Sequence, residues 1–307
     1  GAVLIWLVNL MQSALRGAGE VRVLALVILA GAVIVVPLSP LFIFGLGPVP
    51  GMGIAGAGVA VLIYYALAVI AMLAYLRSAA SPLRLAWAKP EWRLFKEILG
   101  VGGLSAVGTV QANLPVAILP ALAGGFGVAA VAGYGIASRL DYILIPLLFA
   151  LGTATVAMVG ANIGAGQVAR ARRVAWTAAL IATVGTEAIG LLAAAFPEAW
   201  NVIFSHDPAV LATGATYLRI VGPFYGFFGL GMALYFAAQG ARRVAVPVLA
   251  GTLRLAVAGI GGWIAIRHFG AGLPALYWIA ALSFAAFGSV IGIATWRLSW
   301  GAEGVRR

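Results

Sequence analysis

Three ionisable side chains stand deep inside long apolar runs of this 307-residue chain: Arg139 and Asp141 in one run, Glu187 in the next. Ionisable groups at membrane depth are expensive and mark ion or substrate paths by default. Asp141 or Glu187 could take up a proton or another cation, with Arg139 as a neighbouring charge that tunes the acid. Arg139 and Asp141 are two positions apart, so on a helix they point about 200° away from each other and cannot pair face to face. The alternative is structural. An ion pair such as Arg139 with Glu187 would lock two helices together without any transport role.

Weaker candidates surround these three. Gln111 and Asn113 would line a cavity or act as interhelical hydrogen-bonding glue. Tyr134, Tyr225, Phe228 and Tyr235 would form an aromatic wall for flat cations, although packing and interface-belt roles are more common for such residues. Arg219 and Arg254 are expected near span ends, snorkelling to the interface. Asn162 follows the Gly160 turn and is expected to cap it rather than bind a ligand.

Other chemistries find no support. The chain has no cysteine and two histidines, His206 and His268, far apart in sequence, so neither a metal site nor a cofactor is expected. Gly51-Met-Gly53-Ile-Ala-Gly56 matches the dinucleotide fingerprint formally, but it follows no strand and sits in an uncharged loop between spans, which removes the mechanism behind that motif. A phosphate-binding loop, HExxH and GxSxG are all absent from the sequence, and with the first of these goes an ATP-driven pump.

The elements that must position these residues are membrane spans. The chain is 64% hydrophobic and 9% charged, with mean hydropathy +1.09. Soluble domains run about 45–50% apolar and about 25% charged, so this is an all-α polytopic membrane protein. Long unbroken apolar runs also exclude the alternating pattern of a β-barrel. Nine spans are read at 2–15, 23–45, 54–76, 98–123, 128–162, 174–196, 214–238, 244–266 and 273–297. The fifth is too long for one simple span, which predicts tilt, a kink near Pro146 or an extended end.

The stretch GTATVAMVGANIGAGQVARARRV (152–174) shows the local grammar. Small residues, with Gly160 and Gly164 four apart, let helices approach closely where lipid gives no hydrophobic drive. Gly-Ala-Gly then stops the helix, and Arg170, Arg172 and Arg173 open the next one. Fifteen of the 19 Lys and Arg lie in five such loops or ends on one side, at 16–22, 77–96, 170–173, 242–243 and 297–307. The opposite loops hold only Arg267. The net charge of +11 is therefore a topology signal rather than a nucleic-acid surface, and it places the C-terminus and the 77–97 linker on the cytoplasmic side. The expected location is a plasma membrane, the bacterial inner membrane. Lys89-Pro90-Glu91 reads as the start of a short interfacial helix, with Trp92, Phe95 and Leu99 on one face. Asp207-Pro208 reads as a cap before a helix on the other side.

SALRGAGEVRVLAL (13–26) aligns with FAAQGARRVAVPVL (236–249) at an offset of 223, six positions being identical. Residues 1–76 then read as a partial N-terminal lobe, 77–97 as the linker, 98–297 as a complete six-helix lobe and 298–307 as a tail. Two six-helix halves in parallel repeat are a transporter plan, and three spans and part of a fourth are expected upstream of Gly1.

These residues resemble the multidrug and toxic compound extrusion (MATE) family. The matching pieces are LRGAGEVRV (15–23), SPLFIFGLGPVPGMGIAGAGVA (39–60), AGYGIASRLDYILIPLLFALGTATVAMVGANIGAGQVARARRVAW (132–176) and AAQGARRVAVPVLAG (237–251). The resemblance covers essentially the whole chain, as spans 4 to 12 of a two-lobe, twelve-span bundle. It implies a central cavity and proton- or sodium-driven export of amphiphilic, often cationic, compounds by alternating access. Some branches carry carboxylates in the seventh and tenth spans. Here the corresponding stretches offer Gln111 and Asn113, and Phe224-Tyr225-Gly226-Phe227. Rival readings are a lipid-linked saccharide flippase of related architecture, an integral membrane enzyme acting on lipids, and a structural or channel-like bundle. The flippase would carry more cavity charge; the enzyme would need clustered acids or histidines that the basic loops lack; the lobe repeat disfavours the bundle.

Overall fold

A computed structural model describes residues 1–18, 20, 22–45, 50–83 and 91–297 except Val244. Among them every regular element is helical: α1 (Ala2–Gly17), α2 (Arg22–Phe44), α3 (Ile54–Arg77), α4 (Trp92–Ala123), α5 (Val128–Ala137), α6 (Arg139–Gly164), α7 (Val168–Ala195), α8 (Pro197–Asn201), α9 (Pro208–Val221), α10 (Tyr225–Gly240), α11 (Ala245–Leu255), α12 (Gly262–Arg267) and α13 (Leu273–Arg297). Eight helices or helix pairs are long and apolar enough to cross a bilayer, and α1 is a shorter apolar helix. Their outward faces carry large hydrophobics such as Val33, Leu180, Ile181 and Trp296, which water would not tolerate and lipid does. The protein is a multi-pass membrane protein.

The chain divides into two compact units, Gly1–Glu91 and Trp92–Arg307. In the first, α3 buries Ala60, Ala68, Met72 and Leu76, and α1 adds Val8 and Leu15. Glycine sets the α2–α3 distance: a Cβ on Gly31 would fall 2.1 Å from the Tyr64 ring.

The second unit has a continuous core in which α10 is the central helix. Tyr225, Phe228, Leu234 and Ala237 of α10 are buried, as are Tyr217 and Leu218 of α9 and Leu276, Tyr277 and Ile291 of α13. Small residues carry the closest approaches, as expected of helices packing in lipid. A Cβ on Gly152 of α6 would lie 2.1 Å from the Phe236 ring, and one on Gly240 of α10 would lie 2.6 Å from the Val156 carbonyl oxygen.

The helix stop and turn of the run 152–174 form as read, but its Gly160 and Gly164 do not mark a tight approach: a Cβ on Gly164 would meet nothing within 4 Å and one on Gly160 only the Gly240 carbonyl oxygen at 3.4 Å. α6 ends at Gly164, where Ala165 N–H bonds Ala161 O (3.0 Å), Gln167 N–H bonds Asn162 O (2.8 Å) and Gly166 takes φ +72°. α7 then opens on the three arginines. Asn162 contributes its backbone carbonyl to this turn; its side chain bonds back to Met158 O at 2.7 Å and caps nothing. The Asp207 cap forms as read, Oδ1 accepting from Ala209 N at 2.8 Å.

Two expectations need correction. The long fifth run is interrupted at Ser138, between α5 and α6, a break that was not expected, and Pro146 lies inside α6 without ending the helix. The seventh run begins earlier than its hydropathy indicated, at Pro208, and is divided by a 3-10 turn at Gly222–Phe224. The interfacial start at Lys89-Pro90 lies outside the described residues. From Trp92 onward the helix is continuous to Ala123, with Trp92, Phe95 and Leu99 exposed.

Candidate functional site

Both interruptions create helix N-termini at membrane depth, and an acid attends each. A helix start leaves backbone N–H groups without intrahelical partners and carries the positive end of the dipole, which favours a carboxylate. Asp141 occupies the first turn of α6. Glu187 reaches across from α7 to the first turn of α10, where its Oε2 accepts the Gly226 N–H at 2.7 Å. Thr186 Oγ1 donates to Tyr225 O at 2.9 Å beside it. The two acids therefore do different work.

Asp141 is held by two phenols. Tyr217 Oη donates to Oδ2 at 3.1 Å and Tyr225 Oη donates to Oδ1. Both tyrosines are buried, at 1% and 0% exposure. Tyr134 packs edge-on against Tyr217 (5.2 Å between ring centres) and Tyr277 against Tyr217 (5.3 Å). Two tyrosines, from α9 and α10, thus bond the carboxylate, and two more, from α5 and α13, pack against Tyr217.

A cavity of about 500 Å³ opens in front of this cluster, within the unit that begins at Trp92. Its volume is in the range that accommodates a drug-sized ligand. Gln111 and Asn113 of α4, Tyr134 of α5, Arg139 and Asp141 of α6, and Tyr235 of α10 all line it. So do Phe149, Phe228, Phe284 and Arg254. Seven of the nine site candidates read from sequence, Phe228 among them, thus line one cavity.

The other two do not. Tyr225 stands behind the wall as a donor to Asp141 rather than on it as an aromatic face. Glu187 is spent on Gly226, and α7 contributes no lining residue. The Arg139–Glu187 bridge is not formed: the Arg139 guanidinium lies 4.8 Å from the centre of the Phe204 ring, and the ion pair found among the described residues joins Arg219 to Glu198 at 3.2 Å on the surface. Gln111 combines both roles considered for it. Its Nε2 donates to Thr252 Oγ1 at 2.6 Å, tying α4 to α11, at the cavity edge. Gly251 makes room, since a Cβ there would lie 2.5 Å from Gln111 Oε1.

Arg254 does not snorkel. Its guanidinium sits over Phe284 (5.0 Å), Phe228 (5.2 Å) and Phe287 (5.8 Å) on the cavity wall. The signal was present in the sequence: Arg254 is the tenth residue of a 23-residue apolar helix run, far from either end. Tyr217 and Tyr277 were missed because nothing in their local pattern separates them from packing residues.

Residues 107–263, just over half of the chain, match the MatE family. The FAD transporter of Shewanella oneidensis is 28% identical over 246 residues, covering 77% of this chain and 52% of the relative. The multidrug resistance protein MdtK of Yersinia pseudotuberculosis is 27% identical over 206 residues, covering 64% and 43%. The chain spans about half the length of the curated relatives it matches. A solved transporter of the MOP superfamily from Pyrococcus furiosus superposes with TM-score 0.83 at 21% identity, covering 96% of this chain and 66% of that one. That last likeness carries the fold alone.

Proposed function

Because this chain belongs to the MatE family of membrane transporters, we propose that it serves ion-coupled export of amphiphilic, often cationic, drugs or metabolites. Asp141 is the exchange site for a proton or a sodium ion, and the aromatic cavity in front of it holds the cargo. The observation that carries this reading is one carboxylate, on the wall of a drug-sized cavity, supported from behind by two buried phenols. Ion and cargo then compete for the one carboxylate on a largely aromatic and aliphatic wall. Alternation of the cavity between the two membrane faces completes the cycle, as in transporters built from repeated halves. The basic loops and the C-terminus face the cytoplasm.

One relative is named as a FAD transporter and another as a multidrug resistance protein, so a metabolite and drugs both fall within the range of cargo. The family is one of transporters, and no enzymatic step is assigned here. The test is ethidium efflux from cells expressing the full-length protein. Asp141→Asn should reduce efflux to the level of cells without it. Parental efflux by that variant at equal expression would overturn the reading. Collapsing the proton gradient with a protonophore, against removing sodium, identifies the coupling ion.

A further inference from the structure

Arg254 is a permanent cation in the middle of a span and makes no direct ion pair among the described residues. It lies nine residues, or about 14 Å, from the start of its helix run, near the centre of a hydrocarbon core of about 30 Å. Charged side chains at that depth pair with one another or face a polar path. Asp141 lies near enough to interact with Arg254 electrostatically, but both Asp141 oxygens accept from tyrosines and Arg254 forms no direct ion pair among the described residues. Arg254 Nε is fully buried and has no hydrogen-bond partner.

What surrounds the guanidinium is aromatic. Phe228 on α10 and Phe284 and Phe287 on α13 present their rings to it at 5.0–5.8 Å. Cation–π contact holds the plane in place but leaves its N–H donors unused, and a guanidinium offers five in a fixed fork that matches a carboxylate or phosphate. Two residues further on, the helix leaves α geometry for a π turn at Ala256–Gly261, a widening that recurs at functional sites. Of the three charged side chains on the cavity wall, Arg139, Asp141 and Arg254, two are cationic.

We infer that Arg254 is an anion-recognition residue: the cavity takes planar amphiphiles that carry a carboxylate or phosphate, the anionic group seated on the Arg254 fork and the flat body between Phe149, Phe228 and Tyr235. This rests on reading the cavity as the cargo site and adds a substrate class to it. Cationic cargo uses Asp141; anionic cargo uses Arg254.

The experiment compares binding of two xanthene dyes of one shape to the purified full-length protein by fluorescence polarisation. Fluorescein carries anionic groups, and a cationic rhodamine ester does not. Arg254→Gln should weaken fluorescein relative to the rhodamine by about tenfold or more, the loss of a charge-assisted contact. Arg254→Lys, which keeps the charge and loses the fork, should weaken it by about threefold. It also serves as the measured variant if Arg254→Gln does not fold. A ratio unchanged within about twofold in the folded variants would overturn the inference. Because the readout is a binding ratio, it stands apart from the efflux test. If Asp141→Asn exports ethidium normally while the Arg254 ratio shifts, ion coupling through Asp141 fails and anion recognition survives.

Discussion

Glu187 Oε2 lies 2.7 Å from the backbone nitrogen of Gly226, and a Cβ added to Gly226 would approach that same oxygen to 2.7 Å. The acid is fitted to a bare helix start, which the 3-10 turn at Gly222–Phe224 creates in mid-span. Glu187→Gln keeps an acceptor, so efflux should stay near the parental rate with a stability loss of about 1 kcal/mol or less. Glu187→Leu leaves the N–H unpaired and should cost about 1–3 kcal/mol, read as a lowered melting temperature in detergent. Loss of efflux in Glu187→Gln at unchanged melting temperature would return this residue to the transport machinery.

Helix spacing around α6 and α10 gives a second, graded prediction. A Cβ at Gly240 meets the Val156 carbonyl at 2.6 Å, whereas one at Gly160 meets the Gly240 carbonyl at 3.4 Å. A backbone oxygen cannot swing aside. Gly240→Ala should therefore lose about 1–3 kcal/mol through overpacking, and Gly160→Ala should stay close to parental. Equal melting temperatures for the two variants would contradict the packing described.

Much of this was legible in residue types. Apolar run lengths placed the spans, and the small-residue run from Gly152 marked one close contact, at Gly152 itself, while Gly164, read as a contact, meets nothing within 4 Å. The repeat at offset 223 recurs in the backbone: Glu20 N–H bonds Leu15 O (3.0 Å), and Arg243 N–H bonds Ala238 O (2.8 Å) at the aligned positions. The interruptions at Ser138 and Gly222 were not legible, because they occur inside apolar runs where composition does not change. Pro146 looked the stronger breaker, yet a helix can pass through proline when neighbouring groups take up the freed carbonyl. Missing those breaks hid the division of labour between Asp141 and Glu187. Arg254 was visible in mid-span; its pairing with three phenylalanines from other helices depends on tertiary contacts that no local pattern encodes.

Arg242 carries a third prediction. It is the non-glycine residue with positive φ (+56°) among those described, in a turn whose counterpart after α6 uses Gly166. The aligned position in the first repeat is Gly19 in the sequence. A side chain in the left-handed region costs about 1–2 kcal/mol, part of which glycine returns in unfolded-chain entropy. Arg242→Gly should raise the melting temperature slightly, by the equivalent of about 0.5–1 kcal/mol. Arg242→Val, β-branched at the same φ, should lower it. A fall in both would mean that the arginine side chain, rather than the backbone, holds this turn.

The phenols behind Asp141 permit a test that separates support from transport. In Asp141→Leu, Tyr217 and Tyr225 lose their shared acceptor while remaining buried at 1% and 0% exposure. Each stranded hydroxyl should cost about 1–3 kcal/mol. Adding Tyr217→Phe and Tyr225→Phe removes the stranded groups, so the triple variant should be more stable than Asp141→Leu alone, a non-additivity expected of residues in one network. Efflux distinguishes the two roles. If the carboxylate exchanges the coupling ion, the triple variant recovers stability and stays unable to export ethidium. If it recovers export along with stability, Asp141 serves only to hold α6, α9 and α10 together.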